Sequence, residues 1–252
     1  MNNYRLRLRF DGAAFHGWQI QPRDDTVQQR IFDAATVIFG AHSPIYGCSR
    51  TDAGVHALEY YCNFRAEKTL PCDVVVRAMN ANLPDTIAVL DCDLADETFH
   101  AQFDCAGKTY LYRYYDSRIR DPFLVDRAWH VKTKLDEMKM DRAAAGFIGT
   151  HDFAGFCASG ASVKTTVRTV SDARVFREGD CVFLRISADG FLYNMVRIIA
   201  GTLADVSRGK LDAEAIPEII ASRDRERAGM TAPAQGLSLE RVYYEGVGRR
   251  DG

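Results

Sequence analysis

The chain has 252 residues, of which 47% are apolar and 26% charged, with a formal net charge of -2. That length supports a substantial core without covalent staples, and that balance excludes disordered and fibrous classes. The total charge lacks the basic excess common in nucleic-acid binders, but residues 1–105 carry 9 basic and 14 acidic side chains whereas residues 106–252 carry 23 and 20.

The N-terminus, MNNYRLRLRF, has no apolar core of a secretion signal and alternates Leu6, Leu8 and Phe10 against Arg5, Arg7 and Arg9, the pattern of a half-buried strand. Thr26 with Gln29 makes a capping box for a helix whose apolar stripe is Val27, Ile31, Ala34, Ala35 and Ile38 and whose stop is Gly40. Residues 44–64 read as a strand, a polar loop from Gly47 to Gly54 and a second strand, with a helix over 72–79 and a strand end near Cys92. KTYLYRYY is a strand with Tyr110, Tyr112 and Tyr114 on one face. A helix is expected over Leu135–Ile148, strands over Val170–Phe176 and Cys181–Ala188, an amphipathic helix from about Phe191 to Val206, a short helix over Ile216–Ser222 and a last strand, SLERVYYE. The class is therefore α+β. No run approaches the roughly 20 uninterrupted apolar residues of a membrane span. Seven cysteines with no CxxC pair and no zinc spacing read as reduced thiols in the cytosol, packed as small buried hydrophobes.

Three segments carry chemistry-bearing residues. CSRTDAGVH sets Arg50, Asp52 and His56 in one loop between apolar strands; it is either a functional loop or a turn in which Asp52 caps amides. Lys108, Tyr110 and Tyr112 alternate on a strand, either to stack on a nucleobase or as a core aromatic ladder. Arg197 lies among apolar neighbours in GFLYNMVRIIAG, calling for an anionic partner unless it snorkels from a helix edge. Phosphate-binding glycine loops, HExxH and GxSxG are missing, so a carboxylate, Arg, Tyr or His must carry any chemistry.

In their joint order, the segments FDG (Phe10–Gly12), FHGWQIQ (Phe15–Gln21), SRTDAGVHA (Ser49–Ala57), NANLPDTIAV (Asn80–Val89), FHAQFD (Phe99–Asp104), GKTYLYRY, THDFAGF (Thr150–Phe156), GFLYNMVRIIAG and TAPAQGLSL (Thr231–Leu239) resemble the TruA family of tRNA pseudouridine synthases. The resemblance implies a pseudouridine synthase fold: two α+β subdomains, 1–105 with the Asp loop and 106–252, sharing a joined, mainly antiparallel sheet and a central active-site cleft. It further implies a cytoplasmic homodimer acting on the anticodon arm of tRNA at positions 38 to 40, with no metal or cofactor. Carried over by motif, Asp52 is the catalytic carboxylate, Arg50 helps displace the target base, Tyr110 stacks on the uracil and assists the proton step, and Arg197 pairs with Asp52. His56 and Lys108 are expected to bind substrate.

Ser49, Tyr60, Asn63, Gln102 and Met230 depart from the family pattern. Gln102 stands where an Arg is usual and removes a phosphate contact, which bears on which uridines are modified. Two readings of other classes are an RNA-binding protein without turnover and a small-molecule lyase built on the Arg-Asp pair.

Overall fold

A computed structural model describes residues 1–160 and 163–244. In chain order the elements are β1 (Asn2–Phe10), α1 (Val27–Phe39), β2 (Tyr46–Gly47), β3 (His56–Ala66), α2 (Cys72–Asn82), β4 (Ile87–Ala95), β5 (Cys105–Tyr115), β6 (Trp129–His130), α3 (Glu137–Ala144), β7 (Gly149–Asp152), β8 (Val167–Glu178), β9 (Cys181–Ala188), α4 (Met195–Ser207), α5 (Ile216–Ser222) and β10 (Leu237–Tyr244). The fold is α+β with mostly antiparallel strand pairing; β6 against β5 is parallel. Two compact units emerge: Met1–Ala106 with the chain from Leu239, and Gly107–Ser238.

In the first unit β1 lies between β4 and β3, antiparallel to both, and β2 adds to β3. The alternation expected of β1 is realised: Tyr4, Leu6 and Leu8 are fully buried, while Arg5 faces Asp93 across the strand pair at 2.9 and 2.6 Å. The helix α1 starts where the cap predicts, since Thr26 Oγ1 accepts from the Gln29 amide at 3.4 Å, and ends at Gly40 with φ 73°. Gln29 does not complete the box, because its side chain turns along the helix toward Asp33, to which Nε2 donates at 2.7 Å, and not back to the Thr26 amide. Phe39, not Ile38, finishes the buried stripe and places its ring 4.9 Å from Tyr4.

In the second unit the sheet order is β5-β9-β8-β7. Two helices differ from expectation. α3 covers only Glu137–Ala144, because the Leu135 amide donates to Asp116 at 2.8 Å and Asp136 caps the Lys139 amide at 3.0 Å; after it a 3-10 turn, Ala145–Phe147, leads into β7. α4 starts at Met195, since Asn194 takes a left-handed φ of 60° that no regular helix continues through. It is also not one-sided: most of its circumference is buried, including Ile198, Ala200, Gly201 and Thr202. Of the expected last strand, Glu245 lies outside the described residues.

The expectation that the cysteines pack as buried hydrophobes holds for Cys48, Cys62 and Cys92. Cys72, Cys105 and Cys181, the first residues of α2, β5 and β9, are half-buried, as is Cys157. Among the described residues no helix is long and apolar enough to cross a membrane.

Candidate active site

In the first unit, residues 48–55 connect β2 to β3. What holds this connection is the segment Phe15–Trp18, which runs against its backbone: Trp18 N donates to Thr51 O at 3.1 Å and Gly54 N to Phe15 O at 3.3 Å. The approach requires glycine, because Gly17 has φ +88° and a Cβ there would sit 2.5 Å from Thr51 O. The loop closes on itself through Val55 N to Asp52 O at 3.1 Å.

On this clasped loop Asp52 is half-buried and Arg50 exposed, so a fixed carboxylate stands two residues from a cation reaching solvent. His56 is buried. Its Nδ1 lies 3.1 Å from Gly12 N and 3.0 Å from Asp11 Oδ1, accepting from the amide when the proton is on Nε2 and donating to the carboxylate when it is on Nδ1. Either arrangement pins the exit of the loop to the FDG turn. Thr51 is 7% exposed, and its hydroxyl has no hydrogen-bond partner among the described residues. Sequence patterning gave no sign of that hydroxyl, nor of the Gly17 clasp, which is formed across 34 residues of chain.

In the second unit, β5 sorts its tyrosines. Tyr112 OH donates to Pro233 O at 2.8 Å and Tyr114 OH to Ala200 O at 2.9 Å, and burial raises both phenol pKa values far above the ordinary range. These two belong to the core. Tyr110, 6% exposed, meets Phe191 edge-on at 5.1 Å between ring centres. Lys108, half-buried, lies opposite Ala188.

Arg197 occupies the first turn of α4 and is gripped from two sides: Nε donates to Ala232 O at 2.8 Å and Nη1 to Asn194 Oδ1 at 2.7 Å. The backbone completes the clasp, with Ala232 N donating to Arg197 O at 3.0 Å. This explains TAPAQG, whose turn fits only because Gly236 leaves room for the Tyr112 ring; a Cβ there would lie 2.6 Å from it. Arg197 is thus a positioned guanidinium and does not snorkel. Arg50, Asp52 and His56 share the first unit; Lys108, Tyr110 and Arg197 share the second. No cluster of three or more His, Cys, Asp or Glu with a metal-site arrangement occurs among the described residues.

The profile of the tRNA pseudouridine synthase family matches residues 143–245. Similarity extends over nearly the whole chain to tRNA pseudouridine synthase A of Acetivibrio thermocellus, at 47% identity over 244 residues, 97% of this chain and 100% of that protein. The chain belongs to the tRNA pseudouridine synthase A family. Proteins of that name in Ruminiclostridium cellulolyticum (43% identity over 97% of this chain and 100% of that one) and, as tRNA pseudouridine synthase A 2, in Clostridium perfringens (42%, with the same coverage of each chain) are similar too. A chain of a solved Cbf5-Nop10-Gar1 complex aligns at 13% identity and TM-score 0.36, over 94% of this chain and 59% of that one.

Several of the positions expected to depart from the family pattern have local explanations. Tyr60 stacks on Trp18 at 4.3 Å and donates its hydroxyl to Ser49 O, so Ser49 and Tyr60 act together at the entry of the Asp52 loop. Asn63, fully buried, donates to Asn3 Oδ1 at 2.9 Å and accepts from Ala101 N at 2.8 Å, bracing the FHAQFD turn from within. Gln102 is exposed on that turn. Met230 presents its carbonyl to Gly201, where a Cβ would be 1.7 Å away; nothing in the structure calls for its half-exposed side chain.

Proposed function

We propose that this protein isomerises uridine to pseudouridine in the anticodon arm of tRNA, at positions 38 to 40, with Asp52 as the catalytic carboxylate. The observation that carries the reading is the near-complete match to tRNA pseudouridine synthase A proteins, within which the Arg50-Thr51-Asp52 loop is clasped by FHGW. The reaction breaks the N1–C1′ bond, turns the freed uracil and joins C5 to C1′; the C5 proton leaves and N1 gains one. A carboxylate held ionised can serve as nucleophile or base in such a sequence.

The remaining roles follow the chemistry of each group. Arg50, cationic and exposed, assists in displacing the base from its stack, a step that costs a few kcal/mol. Tyr110 stacks on the uracil and sits by the proton step, and Lys108 approaches substrate phosphate. Arg197 is the ionic partner of Asp52; an adjacent cation favours the charged carboxylate. His56, buried beside Gly12, positions the loop rather than touching substrate. In this reading 1–105 brings the Asp loop and 106–252 completes the cleft, and the enzyme is a cytoplasmic homodimer. Gln102, exposed where the family's Arg would contact phosphate, bears on which of these uridines are modified.

The direct test is to incubate the protein with unmodified tRNA transcripts and map pseudouridine by nucleotide. Product at positions 38 to 40 supports the reading. Product only elsewhere, or none, contradicts it.

A further inference from the structure

Residues 117–134, between β5 and α3, hold five basic side chains (Arg118, Arg120, Arg127, Lys132, Lys134) against Asp121 and Asp126, a surplus equal to that of residues 106–252 as a whole. The segment is not a loose charged loop. Val131 N donates to Tyr115 O at 2.9 Å, β6 pairs with the end of β5, and His130 Nε2 lies 2.7 Å from Ser117 O. These bonds bring its two ends side by side and set Arg118 near Lys132 and Lys134.

Between them lies a cleft of about 370 Å³ lined by Asp116, Arg118, Lys132, Thr133 and Lys134. Its one acid is already satisfied. Asp116, with no side-chain exposure, accepts from Arg177 at 2.9 and 2.8 Å, from Leu135 N at 2.8 Å and from Lys134 at 3.3 Å. Arg118 and Lys132 have no carboxylate partner among the described residues. The cleft therefore presents unmatched cations and a threonine hydroxyl on an anchored frame, an arrangement that suits a phosphodiester whose two free oxygens accept hydrogen bonds from both cations.

We propose that this cleft binds phosphodiester groups of the RNA substrate, as an affinity site whose side chains take no part in the reaction. The proposal rests on the tRNA reading above. It also accounts for RNA binding by a chain of net charge -2, since exposed charges farther away than a Debye length of about 8 Å are largely screened and the local field decides.

The test compares the parent with R118Q/K132Q, which leaves the Lys134-Asp116 contact intact, and with R118Q/K132Q/K134Q. Affinity for tRNA and turnover are measured over a range of salt. The triple variant should bind about tenfold more weakly at low salt, and its dependence of log affinity on log salt should be shallower by about 2 to 3, at roughly 0.7 to 0.9 for each of the lost contacts. The double variant should lose somewhat less, and kcat at saturating tRNA should be unchanged in both. Unaltered affinity and slope in an active parent overturn the proposal, as does a fall in kcat at unaltered affinity. Occupation of the cleft by polyglutamate but not by an RNA oligomer would assign it to an acidic protein and overturn it too. A parent that makes no pseudouridine refutes the tRNA reading itself, and that result is separate from the binding comparison.

Discussion

At the residue scale, the loop before β3 combines a group expected to react with one that no neighbour satisfies. A buried hydroxyl without a partner costs about 1 to 3 kcal/mol relative to an apolar group of the same shape. Thr51→Val should therefore leave the protein as stable or up to about 1 kcal/mol more stable in urea unfolding; a loss of more than 1 kcal/mol would show that the hydroxyl has a partner in solution. The polar cluster of Arg50, Asp52 and His56 could be read directly from the sequence because it interrupts two apolar strands. Its support could not. The contact of Gly17 with Thr51 O and that of Ala232 O with Arg197 link residues about 35 positions apart, and no local periodicity encodes them. Likewise, the tyrosine face of β5 was visible as a stripe, but that Tyr112 and Tyr114 close onto the carbonyls of Pro233 and Ala200 was not.

At the element scale, α1, α5 and β9 lie where they are expected; α1 starts at its cap Thr26 and stops at Gly40, and Pro217 stands in the first turn of α5. The helices α3 and α4 do not, and in both cases a long-range or unusual backbone requirement intervenes: Leu135 is held by Asp116 across the fold, and Asn194 adopts φ 60°. The short strands β6 and β7 have too few residues to show alternation and exist through their partners. Asp116 is the keystone of its region. Burial alone would raise its carboxyl pKa, but the bonds from Arg177, the Leu135 amide and Lys134 outweigh it and hold the value below the usual carboxylate range. Asp116→Asn should destabilise by about 3 kcal/mol at neutral pH, since it leaves Arg177 largely buried with its main anion gone. Because the folded pKa is depressed, this stability is present above the unfolded value of about 4 and fades as pH falls through the folded one. The gap between parent and variant in urea unfolding should thus be flat from pH 6 to 8 and narrow below about pH 4. A gap that stays constant into acid would contradict the ion-pair account.

At the scale of the whole molecule, the resemblance in the sequence and the full-length similarity agree on the family, while the residues that would do the chemistry are divided between two units. Two expectations follow from the proposed function. The protein should sediment as a dimer at working concentration, a monomer being the contrary result, and dialysis against chelator should leave turnover unchanged so long as the tRNA stays folded; restoration of lost turnover by added zinc would contradict this. The measurement that tests the central claim most directly pairs tRNA binding with release of tritium from C5-tritiated uridine, for the parent and for Asp52→Asn. The amide keeps the shape of the carboxylate but is neutral and very weakly basic, and removing a negative charge beside a polyanion does not weaken binding. The account predicts that the variant binds tRNA within a few-fold of the parent and releases tritium at least about a thousandfold more slowly. Release by Asp52→Asn at a rate near the parent's would remove Asp52 from the chemistry, and parallel loss of binding and turnover would make it a residue that only shapes the loop.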